Sequence, residues 1–203
     1  MVWFLNNFVT MTKQRIAFFW NDYKALIILL ALGLVVRGGF FGVILWNYGP
    51  QGFALPVNED AGEYVALAKN LAEHGVFSRD VMPPFSPEQL RTPGYPLLLA
   101  FFYKLIPALP FLAVVQNVFF LLVGVVLVYQ IALLLGQRKG TALVAAGLLA
   151  LEPTMVYWNN QLTTESTFTV FLLAAVFYFI AFFKHAPSRV LFYAGFFLGF
   201  SLL

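Results

Sequence analysis

The chain contains no cysteine, and only 10% of its 203 residues are charged. The first absence excludes disulfide frameworks, thiolate chemistry and Cys-ligated metals. The second is as restrictive, because a soluble domain usually carries about 25% charged residues. Apolar residues fill the gap: 61% of the chain is hydrophobic, Phe alone occupies 24 positions, and the mean hydropathy is +0.83. No soluble fold of this length hides that much apolar surface. A soluble enzyme, a disordered chain and a nucleic-acid reader are therefore excluded. Internal repeats and low-complexity tracts are also missing. The net charge of +3 is informative mainly through its placement, since basic residues in a membrane protein report orientation.

A membrane-spanning helix needs about 20 mostly apolar residues. Residues 25–46, 111–135, 141–158 and 163–183 meet or approach that length, and 190–203 opens another span. Residues 94–109 are apolar but interrupted by Gly94, Pro96 and Pro107, with Pro110 just beyond. Charge decides how to treat them. Lys13, Arg15 and Lys24, then Arg138 and Lys139, then Lys184, His185 and Arg189 form three basic clusters. All three fall on one side if 94–109 does not cross, and the positive-inside rule makes that side cytoplasmic. The expected fold is an all-α polytopic bundle in the cell membrane with a cytoplasmic N-terminus. Residues 1–24 form an interfacial segment with Trp3, Phe4, Phe8, Phe18, Phe19 and Trp20, not a cleavable signal. Residues 47–110 form a long outer loop with short helices, including an interfacial one at 94–109, and 111–203 carry the further spans. The apolar run through Leu203 reads as the N-terminal part of a longer protein.

Acids are scarce, and six of the nine lie between Asn47 and Pro110. A long loop with its own helical pattern suggests a site. Asn58 to His74 reads as an amphipathic helix, with Tyr64, Leu67, Ala68 and Leu71 on one face and Gly75 as the stop. Asp60 and Glu63 have the spacing of a capping box, so Asp60 is either a cap or a functional carboxylate. Arg91 follows the loop and opens the rigid run Arg91-Thr92-Pro93-Gly94-Tyr95-Pro96. Its alternatives are interfacial anchoring and contact with a phosphate, which suits a guanidinium fork. Glu165 lies at the outer end of its span, either as a charge favoured by the helix dipole or as a functional group. His74 and His185 have no metal-ligand spacing. Gly38, Gly39 and Gly42 read as helix-packing positions.

Together these segments resemble a known family. Asp60-Ala-Gly-Glu-Tyr64, Leu67-Ala68-Lys-Asn70-Leu71, His74-Gly75-Val76-Phe77-Ser78 and Arg91-Thr-Pro-Gly-Tyr-Pro96 look like the first outer loop of GT-C-fold membrane glycosyltransferases. The nearest resemblance is to the protein-mannosyltransferase and aminoarabinose-transferase-like group. Pro153 and Leu162-Thr-Thr-Glu165 resemble its next landmark. The resemblance implies transfer of a sugar from a polyprenyl-phosphate donor to a lipid or protein acceptor on the extracytoplasmic side. It places Asp60, Arg91 and Glu165 in the catalytic set and Tyr64, Arg79 and Tyr95 in substrate binding.

The residue types suit that chemistry. Displacing a lipid phosphate from an anomeric carbon takes a base, which a carboxylate supplies, and positive charge on the departing phosphate, which Arg91 or Arg79 supplies. No cofactor is demanded, although a divalent ion held by Asp60 and Glu165 would fit hard-cation chemistry. The other reading is a transporter or non-catalytic scaffold, for which intramembrane Arg37 and Glu152 would be the mark. These two lie at nearly equal depth and are expected to pair, because an isolated arginine at a helix centre costs about 2.5–3.5 kcal/mol on translocon scales.

Overall fold

The computed structural model describes residues 2–54 and 59–201, with side chains for 23–54 and 60–201. The interfacial aromatics from Trp3 to Trp20 and the start of the loop helix at Asn58 lie outside the described side chains. Among the described residues the chain is all-α. The helices are α1 (Val2–Tyr48), α2 (Glu59–His74), α3 (Gly94–Leu105), α4 (Leu109–Phe119), α5 (Val126–Leu134), α6 (Lys139–Leu151), α7 (Pro153–Asn160), α8 (Glu165–Phe183) and α9 (Arg189–Ser201). Among the described residues three stretches are long and apolar enough to cross a membrane: Tyr23–Phe53, Leu109–Leu134 and Glu165–Phe183. The bent pair α6–α7 makes a fourth if it is one span.

No proline interrupts α1 before Pro50, and the helix ends where Gly49 adopts a left-handed φ of 64°. A 3₁₀ turn, Gly49–Phe53, follows. Many apolar side chains on the outside, Val35, Trp46, Leu148 and Phe192 among them, are exposed. That is the surface expected of helices solvated by lipid.

Residues 111–135 read as one regular helix, but the structure inserts a π-helical stretch, Phe120–Val125, between α4 and α5. The buried positions explain it. They run in pairs four residues apart: Leu112 and Ala113, Gln116 and Asn117, Phe120 and Leu121, Gly124 and Val125. An α-helix turns once every 3.6 residues, so a strict four-residue repeat drifts off the buried face. The wider π turn takes up that drift.

Residues 141–158 also differ from a single straight span. α6 and α7 meet at 49°. Pro153 has no N–H to continue the ladder, and Glu152 leaves the helical region at φ −61°, ψ 122°. The Glu152 carboxylate caps α7 by accepting the Met155 N–H at 2.6 Å. The expected Arg37–Glu152 pair therefore does not form. Arg37, 2% exposed, instead donates through Nη1 to the main-chain carbonyl of Ala150, in the last turn of α6 where carbonyls have lost their helical partners. The guanidinium also lies over the Phe120 ring, 5.4 Å from its centroid. α1 is thus tied to the end of α6, through backbone freed by the break.

Two apolar clusters build the core. One, with Leu26, Phe120, Leu121, Val125, Ala142, Ala146 and Val170, joins α1, α4–α5, α6 and α8. The other, with Phe53, Tyr64, Val65, Ala68, Tyr95, Leu99, Leu112 and Leu162, seats α2 and α3 on the bundle. The amphipathic face expected for α2 is the one used: Tyr64, Leu67 and Ala68 are buried and Leu71 packs at the cluster's edge. Gly75, at φ 69°, ends α2 where the stop was expected. α3 has 12 residues, about 18 Å of helix, well short of a hydrocarbon core of about 30 Å.

Candidate active site

Leaving α2, the chain folds back along the helix. Asn70 clamps it by donating Nδ2 to the Ser78 carbonyl at 2.7 Å and the Asp80 carbonyl at 2.9 Å. Asp80 accepts the Ser86 N–H at 2.5 Å, which closes the tip. Glu88 sets the exit: its Oε1 accepts the N–H groups of Gln89, Leu90 and Arg91 at 3.0, 2.6 and 3.3 Å. Its other oxygen pairs with Arg79 Nε, and its side chain is only 2% exposed. The loop thereby presents Arg79 and Arg91 to the first turns of α2.

Glu63 is the hub. Its Oε1 pairs with Arg79 Nη1, and its Oε2 takes Arg91 Nε at 2.7 Å and Nη2 at 2.6 Å. Arg91 Nη2 also reaches Asp60 Oδ1. Asp60 and Glu63 are therefore not a self-contained capping box. α2 begins at Glu59, so Asp60 sits inside the first turn, where its carboxylate suits the helix dipole and binds Arg91. Asp60 keeps 49% of its side-chain surface exposed, and Arg91 keeps 26%.

Beneath the ion pairs lies an aromatic stack. The Arg91 guanidinium sits 5.2 Å above the Tyr64 ring, and Tyr64 meets Tyr95 edge-on at 5.1 Å. Tyr95 donates its hydroxyl to Gln116 Oε1 at 2.7 Å. Asp60, Arg91, Arg79, Tyr64 and Tyr95 thus form one continuous contact set. Glu165 opens α8, on the element that lines the cavity beside Tyr95. One of its oxygens, Oε2, is buried without a hydrogen-bond partner.

The electrostatics follow the contacts. Burial would lower the Arg91 guanidinium, but its bonds to Glu63 and Asp60 outweigh that and raise it. Arg79 behaves likewise through Glu63 and Glu88, so both stay charged at any working pH. Glu88 is held below the usual carboxylate range: burial opposes this, and the Leu90 N–H, Arg79 and the Arg91 N–H overcome it. Asp80 is held down chiefly by Ser86. The Tyr95 phenol is pushed well up, first by burial and then by Glu165 and Tyr64.

Beside Tyr95 and Gln116 opens a cavity of about 240 Å³, walled by Leu98, Phe102, Val115, Phe119 and Phe171. It is almost wholly apolar and lies between α3, α4 and α8. A charged cluster and an apolar groove meet at Tyr95.

The profile of dolichyl-phosphate-mannose-protein mannosyltransferases matches residues 90–203, more than half of the chain. The chain belongs to that family. No curated protein and no solved structure gives a match. Membership makes this mannosyltransferase-family chain a membrane glycosyltransferase, and its apolar helices make it a multi-pass one. The matched region begins at Leu90 and takes in Arg91, Tyr95 and Glu165; Asp60, Tyr64 and Arg79 lie ahead of it. Among the described residues of this family member, no three His, Asp or Glu side chains group to hold a metal ion.

Two features of the candidate site escaped the sequence reading. Glu63 reads as a capping partner, and only the fold shows it bridging two arginines. Gln116 and Asn117 are scattered polar letters in an apolar run, yet both are buried and reach across to α7: Asn117 Nδ2 donates to the Asn159 carbonyl at 2.9 Å. A polar pair inside a span is itself a signal, because intramembrane polar groups need partners.

Proposed function

We propose that the chain carries the acceptor-activating part of a mannosyltransferase that uses a polyprenyl-phosphate-linked sugar and works on the extracytoplasmic side. The observation that carries this reading is the meeting of the Asp60–Arg91–Glu63–Arg79 cluster with the apolar groove at Tyr95. The proposed donor has the same two-part chemistry, an apolar chain and a charged phosphate. The groove suits the chain. Arg91 and Arg79, neither fully buried, suit the phosphate.

In the proposed reaction an acceptor hydroxyl oxygen attacks the anomeric carbon. The bond from that carbon to the phosphate oxygen breaks, and its electron pair leaves with the lipid phosphate. Asp60, partly open to solvent, takes the hydroxyl proton, and Arg91 fixes its carboxylate. The arginines offset charge building on the leaving phosphate. Sidedness rests on the basic residues at 138–139 and 184–189, which lie at the far ends of the spans from α2 and the loop.

The test is transfer of radiolabelled mannose from a polyprenyl-phosphate donor in reconstituted vesicles. Label should reach the acceptor with the chain present and fall with Asp60→Asn. Transfer from a soluble nucleotide sugar and none from the lipid donor would overturn the reading.

A further inference from the structure

Gln116 lies on α4, two turns from the helix's beginning, and is 6% exposed. Both ends of its amide are engaged. Oε1 accepts the Tyr95 hydroxyl at 2.7 Å, and Nε2 donates to the Gln161 carbonyl at 2.6 Å and the Asn159 carbonyl at 3.3 Å. Those carbonyls belong to the turn that leaves α7 and delivers Glu165 to the start of α8. Tyr95, on the opposite side of the amide, supports Tyr64 and through it Arg91. One side chain therefore joins the arginine half of the site to the carboxylate half.

The Glu165 half needs an external brace. Among the described residues Glu165 Oε2 has no hydrogen-bond partner, so that oxygen does not hold its own side chain in place. Its position is set by α8 behind it and by the turn before it. That turn is held by Gln116, by Asn117 through the Asn159 carbonyl, by Ser166 Oγ donating to Asn159 Oδ1, and by the Leu162 N–H donating to the Phe53 carbonyl at 3.1 Å. Of these, Gln116 also touches Tyr95. Its chemistry is hard to replace: one amide both accepts from Tyr95 and donates to the two carbonyls of the turn. A glutamate would set a carboxylate against carbonyl oxygens, and an apolar residue would leave the buried Tyr95 hydroxyl without its acceptor and loosen the turn's carbonyls.

We propose that Gln116 is a positioning residue for sugar transfer, holding Tyr95 and the Glu165 turn in register across the groove. The proposal rests on the transferase reading above. Small displacements matter in such a site, since a misplacement of about 1 Å costs roughly 100-fold in rate.

Two readouts test it, one of them independent of activity. The chain has no cysteine, so Leu97→Cys on α3 and Phe168→Cys on α8, both at exposed positions, give a clean spin-label pair. The otherwise unaltered pair should show one narrow distance, which broadens when Gln116→Met or Tyr95→Phe is added. In the mannose-transfer assay Gln116→Met should lower kcat by about 10- to 100-fold with KM for the donor within about threefold. In a Glu165→Gln background the further loss from Gln116→Met should shrink to less than about threefold, because both changes disable one unit. An unchanged distance distribution in both variants overturns the positioning role. So does a loss of the same factor in both backgrounds, which would mark a general structural effect. If Gln116→Met does not fold, Tyr95→Phe, which cuts the same link and leaves the carbonyl bonds, decides by the same two readouts. No transfer by the unaltered chain, together with broadening in the variants, would defeat the transferase reading and leave the brace standing.

Discussion

Arg91 Nε donates to Glu63 Oε2 at 2.7 Å, although the two residues stand 28 positions apart. That bond closes the loop between α2 and α3 and aims a guanidinium at Asp60. The geometry uses the planar fork of arginine: Nε and Nη2 both meet Glu63, and Nη2 also meets Asp60. A lysine offers a single point charge. Arg91→Lys should therefore cut mannose transfer by at least about tenfold while changing stability by no more than about 1 kcal/mol, since partly exposed ion pairs contribute little. Transfer kinetics and thermal unfolding in detergent check the two halves. A lysine variant with full turnover would show that charge alone suffices.

Asp60→Asn removes the proposed base and keeps the side chain's shape. A positioned base contributes about 10²- to 10⁴-fold, so kcat should fall by that factor with the folded state intact. Circular dichroism and size-exclusion behaviour should match the unaltered chain. Unaltered turnover in this variant would exclude Asp60 as the base.

The loop should be sensitive to acid. Glu88 and Asp80 both have folded values below their ordinary ones, so their carboxylates bind the loop's N–H groups and Arg79 most tightly when ionised. Unfolded reference values are about 4.3 for Glu and about 3.9 for Asp. The stabilisation is then complete above about pH 4.5 and is lost as pH falls through the lower folded values. Hydrogen exchange at the Ser86 and Leu90 amides should be slow and flat from neutral pH to about 4.5, after correction for intrinsic rates, and lose protection below it. Protection lost near pH 6 would point to another group.

Much of this was legible in the sequence. The apolar periodicity of α2 is strong enough to predict its buried face, and hydropathy locates the spans. Asp60, Arg91 and Tyr95 stand in motifs that resemble a family's outer loop. The Glu63 hub was not legible, because capping-box spacing gives a complete local explanation and a bridge to Arg79 and Arg91 is a tertiary event. Gln116 was not legible because its partners are main-chain carbonyls, which leave no mark in a sequence. Glu152-Pro153 was legible and overlooked. A capping acid followed by proline is a helix start, and the apolar letters on either side make it read as mid-span.

That junction supports the sharpest test of the fold. If Arg37 and Glu152 formed a pair, Arg37→Glu combined with Glu152→Arg would restore what either single change loses. The observed bonds predict the opposite. Glu152 acts as the cap of α7 through the Met155 N–H, and arginine at that position has no acceptor to offer. Losing such a cap costs about 0.5–2 kcal/mol. Arg37 acts by donating to the Ala150 carbonyl, and a carboxylate there would face an oxygen it cannot bond unless protonated. The two losses arise at different partners, so the double variant should unfold at a temperature no higher than Arg37→Glu alone. Arg37→Met should be far milder than Arg37→Glu, because replacing a buried charge with an apolar side chain of similar length also removes its desolvation cost. Thermal unfolding of the four variants in one detergent decides the matter, and a double variant more stable than Arg37→Glu would restore the ion pair.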